Sequence, residues 1–581
     1  MSRQQLRPSQ IITTFGPGAI VDLPDDSVMI VGTDHWFDGQ KRFKKIGEPR
    51  LQAALKVREF RTPPVGSFAD RDMPYVRFPR WRVCPRCNLL SNQFPEDRRN
   101  PELAPRCPSC KVPTYPARLV VACAKGHIDD FPWYRWVHRG QNCGGGTLRF
   151  TGGGKSAALG DLEVTCSCGL SRSLSGALGR EAMAEAHCSC QGRRPWLNDD
   201  REDCAEPLHA LQRGASNVYF SVLRSALSIP PWTNPLLLDV NEWWHSLHPD
   251  YRPAEAEWPL HIKTKFGPDK IQEVTAHLKK ILGIDTEATS IRQEEYQALH
   301  HSDSHQPDVY FQTIRRGLTE RATEFLSNLI GVPRLREVRA LRGFSRIEAP
   351  EMDPSMELFG DLAALNVETA PLSARALDWL PAVENFGEGI FLSLQPERLK
   401  TWEDRKGVKR RAGMLLRAYS AWRQSRGLPA ITEQPPRLIL LHTLAHLLIR
   451  QMSLDCGYSS ASLRERIYSG HDMAGILIYT STPDSDGSLG GLVRQTKPPE
   501  KFADALFSAV DLARVCSGDP LCREHELGHS ERLNGAACHA CSMVAETSCE
   551  FGNRLLERRL ILSLPGDTER TGYFDFDKSI S

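Results

Sequence analysis

CPRCNLLSNQFPEDRRNPELAPRCPSC, residues 84–110, sets Cys84 and Cys87 on one tight turn and Cys107 and Cys110 on another. Two Cys-x-x-Cys pairs about twenty residues apart have zinc-ribbon spacing, because two such turns close a tetrahedron of sulfur. Four thiolates fill the shell and leave no position for water, so the metal is a brace and not a catalyst. A chain stapled in this way is built from small modules joined by short strands and Gly/Pro turns. Residues 81–215 carry eleven of the seventeen cysteines in that style.

Working outward, a second cysteine set follows at Cys143, Cys166, Cys168, Cys188, Cys190 and Cys204. The spacing favours Cys166, Cys168, Cys190 and Cys204 as one quartet, with Cys143 and Cys188 in reserve. Near the far end, VCSGDPLCREHELGHSERLNGAACHACSMVAETSC (515–549) offers a Cys-x-x-Cys at Cys538 and Cys541. Cys516 and Cys522 bracket a Gly/Pro turn and complete the preferred third set. Cys549 is either an alternate ligand or a buried thiol. His525, His529 and His539 lie among polar neighbours and read as surface residues.

The composition is globular, with 40% hydrophobic and 25% charged residues and a net charge of +2 over 581 residues. That excludes a polycation and allows roughly three to five domains. The first residues hold no apolar run like a secretory leader, and no 18-residue apolar stretch occurs. Paired cysteines without such a leader point to metal and not disulfides, and to a cytoplasmic, zinc-bearing protein.

The coarse organisation is a β-rich segment over 1–80, with short runs at Ala19–Leu23 and Val28–Gly32, then the cysteine-rich zinc-binding region 81–215. Residues 216–430 hold no cysteine and show helical periodicity in IQEVTAHLKKILGI, ERATEFLSNLIGVPRLREVRALRGF and KRRAGMLLRAYSAWRQSRG. After Pro435 and Pro436, residues 431–581 combine a helix (LILLHTLAHLLIRQMSL), a strand (AGILIYTST), the cysteine cluster and a closing helix after Cys549. The fold class expected is therefore α+β and multidomain: zinc-ribbon-like modules in the N-terminal half, a helical middle and an α/β C-terminal domain with a zinc site.

Several apparent active-site motifs lack a required part. CAKGHIDDFPW gathers Cys123, His127, Asp129 and Asp130, which read as a structural turn, since catalytic Cys and His are seldom sequence neighbours. Gly154, Lys155 and Ser156 resemble a phosphate loop, but Arg149 stands where its first glycine belongs, and Asp239 ends an ordinary apolar run. HTLAH spaces His442 and His446 one helical turn apart without the Glu a metalloprotease needs, so both read as core or interface histidines. PDSDGSLGG, with Asp484 and Asp486, stops short of a calcium loop. The basic helices expected around 334–346 and 405–426 offer Arg336, Arg339, Arg410, Arg411 and Arg417 as candidate nucleic-acid contacts, with Tyr419 and Trp422 interleaved.

RPSQIITTFGPGAIVDLPDDSVMIVGTDHW, CAKGHIDDFPW, LQRGASNVYF, SALSIP and GAACHACSMVAETSCEFGN together resemble the DrmB family of the DISARM anti-phage defence system. The C-terminal region resembles the cysteine-bearing domain of MrfA-type helicases. The resemblance implies a non-catalytic zinc-binding subunit that forms a heterodimer with the helicase-like ATPase DrmA. It also implies contact with DNA through that complex, no small-molecule substrate and no membrane. It maps the family's metal cysteines onto Cys516, Cys522, Cys538 and Cys541. The alternatives are a metal-dependent nuclease or hydrolase using His127, Asp129, Asp130 or the Asp484/Asp486 loop, and a stand-alone DNA-binding protein.

Overall fold

The computed structural model describes residues 6–37, 43–64, 73–97, 99–100, 103–141, 143–152, 159–230, 232–233, 264, 267–269, 272, 290–301, 309–349, 369–425, 430–431, 434–480, 490–524 and 533–576. Gly154, Lys155, Ser156, Asp239, Asp484, Asp486, His525, His529 and nearly all of IQEVTAHLKKILGI lie outside the described residues.

The N-terminal segment forms a three-stranded antiparallel sheet from Ile20–Asp22, Ser27–Ile30 and Tyr75–Arg77. The cysteine-rich region adds a six-stranded sheet in the order Ser171–Ser173, Leu162–Cys166, Leu148–Gly152, Leu89–Ser91, Arg82–Val83, Tyr115–Pro116. Beside it, Ile128–Asp130, Leu119–Ala122 and His209–Gln212 make a third small sheet. Trp133, Trp136 and Phe131 fill the core of this region, and its strands are two to five residues long. Strands this short bury little, which is why sulfur staples suit the region.

The middle of the chain, expected to be helical, is mixed. Its centre is an antiparallel sheet in the order Phe220–Leu227, Leu326–Ser345, Trp379–Leu394, Gly475–Thr480, Leu463–Tyr468. LSNLIGVPRLREVRALRGFS is thus a 20-residue strand, and Arg334–Arg346 is no helix. Pro333 could not sit inside a helix without losing a hydrogen bond; in the sheet it falls where the register shifts between Val332 and Leu335. The strand buries both of its faces. Leu326 and Leu329 pack with the helices Lys406–Ser425, Arg437–Cys456 and Pro499–Leu512, while Ile330, Val332 and Leu335 pack with the helix Ile291–His300. Two-sided burial erases the polar/apolar alternation that marks a strand in sequence.

Arg437–Cys456 is apolar nearly all round over its first three turns, where every residue from Leu438 to Ile449 is buried, and ends on Gly457 at φ 72°. The closing helix expected after Cys549 shrinks to Arg558–Ile561, because Asn553 and Leu555 both take φ 59°. Arg346, fully buried, donates to Gly126 O and Gly18 O at 2.8 Å each. It thereby ties the end of the long strand to two of the three N-terminal sheets, at Gly18 just before Ile20–Asp22 and at the turn between Leu119–Ala122 and Ile128–Asp130. Burial lowers its pKa to about 9.

Candidate metal centres

The first centre follows from its turns. Asn88 N–H donates to Cys84 O (2.9 Å) and Lys111 N–H to Cys107 O (2.8 Å), and Asn88 and Lys111 take φ 56° and 60°. The two loops are near-copies that present Cys84, Cys87, Cys107 and Cys110 to one point, with Cys87 Sγ and Cys107 Sγ 3.8 Å apart. The edge of a zinc tetrahedron with sulfur ligands is roughly 3.7 Å, given Zn–S bonds near 2.3 Å, whereas a disulfide needs about 2.05 Å. Burial opposes ionisation at Cys87, yet the Leu89 amide and neighbouring thiols bring it down to about 6. Cys110, beside Cys87, rises to about 12.

The central cysteines do not form the expected quartet. Cys190 and Cys204 join Cys123 and His127, whereas Cys166 and Cys168 join His138 and Cys143. The reason is sheet topology. Leu119–Ala122 and Ile128–Asp130 form a hairpin whose turn carries Cys123 and ends next to His127. Gly126 closes that turn at φ 88°, where a Cβ would strike Ala370. His127 Nδ1 lies 3.4 Å from Cys123 Sγ and 3.6 Å from Cys190 Sγ, and Cys204 Sγ is 3.9 Å from Cys123 Sγ. On the far side of the ring, Nε2 meets Glu202 Oε2 at 2.9 Å. A carboxylate on the second nitrogen is the usual means of orienting a metal-binding imidazole. The sequence carries a signal for this centre in the Cys-x3-His of CAKGH, which serves as a metal-binding turn and not only a structural one.

In the third centre, the hairpin after Leu162–Cys166 brings Cys166 and Cys168 onto one loop, with Gly169 at φ 96°. The short helix Trp133–His138 supplies His138, whose Nδ1–H donates to Tyr134 O at 2.7 Å and leaves Nε2 3.3 Å from Cys168 Sγ. Cys143, held in reserve, is the fourth member, with Sγ 3.8 Å from Cys166 Sγ. Cys188 stays outside every cluster, and its burial raises its pKa. No spacing rule pointed to His138.

The C-terminal centre gathers Cys516, Cys522, Cys538 and Cys541. Cys516 Sγ lies 3.5 Å from Cys538 Sγ, and Cys541 Sγ lies 3.8 Å from both Cys522 Sγ and Cys538 Sγ. Arg558, missed in the sequence, is fully buried behind it. Its guanidinium donates to Ala513 O and Ala536 O and pairs with Asp519, each at 2.9 Å, and reaches Cys522 Sγ at 3.6 Å. Placed there, it offsets the charge of a tetrathiolate. Cys549 is not a member, and His539 is exposed.

The other candidates resolve differently. Asp130 accepts from the Arg80 and Trp81 amides (2.8 and 3.1 Å), with burial raising its pKa to about 6. Asp129 pairs with Arg193 at 3.3 Å. Arg336 and Arg339 are 4% and 5% exposed, so neither can reach a phosphate backbone. Arg336 pairs with Glu384 at 3.0 Å and Arg339 with Glu337 at 2.8 Å, inside the sheet. On the helix Lys406–Ser425, Arg411 reaches the buried Glu557 (3.1 Å), while Arg410 and Arg417 are exposed. No helix among the described residues is long and apolar enough to cross a membrane.

These donor sets define the class: a multidomain zinc-binding protein whose cysteine and histidine clusters suit tetrahedral zinc. A profile described as the MrfA Zn-binding domain matches residues 444–542, and one described as a domain of unknown function (DUF8724) matches residues 7–220. Over 579 residues the chain is 33% identical to "DISARM protein DrmB" of Bacillus paralicheniformis, covering 93% of this chain and 97% of that protein. The chain belongs to the DrmB family of DISARM proteins.

Proposed function

We propose that the protein is a non-catalytic, zinc-braced subunit of a DISARM anti-phage complex. In this reading it forms a heterodimer with the helicase-like ATPase DrmA and contributes to DNA binding through that complex. The observation that carries the reading is the donor count: each of the four thiol-rich clusters offers four protein ligands. Zinc held by Cys84/Cys87/Cys107/Cys110, Cys123/His127/Cys190/Cys204, His138/Cys143/Cys166/Cys168 and Cys516/Cys522/Cys538/Cys541 has no open position for a reactive water. Zinc would there fix the relative positions of loops, and the function lies in the surface those loops hold. Membership of the DISARM family supports the role in defence and a partner from the same system.

For DNA, the exposed Lys406, Lys409, Arg410 and Arg417 favour the helix Lys406–Ser425, whose other face is buried through Val408, Ala412, Leu415 and Tyr419. Cations on one face of a firmly seated helix can track phosphates. The test is co-expression with the helicase-like ATPase, followed by DNA binding by each protein and by the pair across a salt series. A stable pair that binds DNA more tightly than either chain alone is the expected result. DNA cleavage by the isolated chain with Mg²⁺ or Mn²⁺ would overturn the non-catalytic reading.

A further inference from the structure

A fifth cluster lies apart from the four thiol-rich ones. His442 and His446 project from one side of the helix Arg437–Cys456, one turn apart, with ring centroids 4.5 Å from each other. Glu465 stands on the adjoining strand Leu463–Tyr468, between Leu463 and Ile467, which both pack in the same apolar core as the helix. A carboxylate in that row is costly unless something positive meets it. Cys549 closes the group. The donor atoms of all four residues lie within 4.8 Å of one another, and His442, His446 and Glu465 have no measurable exposure of their side chains.

The hydrogen bonds show what is missing. His446 Nδ1–H donates to Ser542 O at 2.8 Å, which leaves the Nε2 lone pair aimed into the cluster, 3.5 Å from Glu465 Oε1 and without a hydrogen-bond partner. Glu465 Oε1 accepts the Glu550 amide at 3.0 Å, while its Oε2 is buried without a partner. Cys549 Sγ accepts backbone N–H groups from Phe551 (3.3 Å) and Asn553 (3.2 Å). An amide two residues on that points at sulfur recurs at Cys190 with Gly192 (3.4 Å) and at Cys516 with Gly518 (3.3 Å), both in thiol-rich clusters. Such bonds stabilise charge on sulfur, although burial and the neighbouring Glu465 carboxylate push the Cys549 thiol well above its usual range.

A nucleophilic triad does not fit. His442 Nε2 faces both Cys549 Sγ (3.1 Å) and Glu465 Oε1 (3.2 Å), whereas a triad needs the thiol on one ring nitrogen and the carboxylate on the other. Nitrogens from two imidazoles, a carboxylate and a sulfur converging on one point are instead the donor set of a borderline cation. The His442–Glu465 and His446–Glu465 separations of 3.2 and 3.5 Å bracket the roughly 3.3 Å edge expected for N and O ligands around zinc, while the 3.1 Å His442–Cys549 approach is shorter than the roughly 3.6 Å expected for N and S.

We propose that His442 Nε2, His446 Nε2, Glu465 and Cys549 Sγ hold a fifth zinc ion, buried and tetrahedral. It pins the central helix to the sheet and to the segment that follows Cys541. The carbonyl that orients His446 belongs to Ser542, next to a ligand of the C-terminal cluster, so the two centres brace one another. Glu465 and Cys549 also border a cavity of ≈ 400 Å³, which gives an ion a way in.

The test is zinc content per full-length chain together with cadmium-113 NMR of the cadmium-substituted protein. Five metals are expected, with four resonances at the thiolate-rich downfield end and one well upfield from a site with a single sulfur. His446→Ala and Cys549→Ala should each bring five metals to four and remove the upfield resonance, with the other four unmoved. Should these variants fail to fold, the wild-type metal count and spectrum decide alone. Only four metals, an absent upfield resonance, or folded variants that keep five would overturn the fifth site without touching the thiol-rich four.

Discussion

At the scale of single residues, two side chains that bind no metal control those that would. Glu202 orients His127 from behind, so Glu202→Ala should weaken zinc at that centre about 10–100-fold while leaving the other centres alone. Competition with a graded series of chelators reads this as one metal lost early. Arg558 satisfies two carbonyls, one carboxylate and a thiolate edge at once. Arg558→Met strands all of them and should cost about 3 kcal/mol or more, seen as a lower denaturant midpoint. Neither residue stood out in the sequence, because a glutamate or arginine that acts from behind a ligand carries no spacing signature. The thiols themselves were easier to group: Cys84, Cys87, Cys107 and Cys110 sit on paired turns, and the structure brings them together.

At the scale of elements, the long strand Leu326–Ser345 and the helix Lys406–Ser425 part company although both looked like basic helices. The strand holds Arg336 and Arg339 inside the sheet, against Glu384 and Glu337, whereas the helix keeps Arg410 and Arg417 outside. Arg336→Met should therefore destabilise the protein by about 3 kcal/mol by leaving Glu384 short of its buried partner. The paired change Arg410→Glu and Arg417→Glu should leave the thermal midpoint nearly unmoved, because exposed ion pairs such as Arg410–Glu569 contribute little. It should weaken DNA binding by the complex at least tenfold at 0.1 M salt and flatten its salt dependence. The helices Lys406–Ser425 and Arg437–Cys456 and the strand Gly475–Thr480 were legible because their apolar pattern or run length is decisive. Leu326–Ser345 was not, since a strand buried on both sides shows no period of two.

Across the whole molecule, the central centres are nested. Cys123 and His127 close with Cys190 and Cys204 around a segment that holds the complete His138/Cys143/Cys166/Cys168 cluster. Two hairpins bring in Cys123 with His127 and Cys166 with Cys168, while His138 comes from a helix and Cys143, Cys190 and Cys204 from irregular segments, so each closure depends on tertiary folding that linear spacing does not encode. The single quartet expected from Cys166, Cys168, Cys190 and Cys204 divides for that reason. Of the seventeen cysteines only Cys188 and Cys456 fall outside the five clusters. Thiol-bound zinc stabilises small modules by about 10 kcal/mol at neutral pH, so removing one ligand should be felt at a distance. Cys538→Ser is expected to lose one zinc and, with it, soluble complex with the helicase-like partner, read by metal analysis and co-purification. The central claim, that this chain is held in shape by several closed zinc centres, is tested most directly by native mass spectrometry of the purified full-length protein. The account predicts a native mass above the 65.2 kDa chain by at least four zinc ions, five with the His442/His446/Glu465/Cys549 site, all lost on denaturation in acid. A folded chain that carries one zinc or none would contradict it.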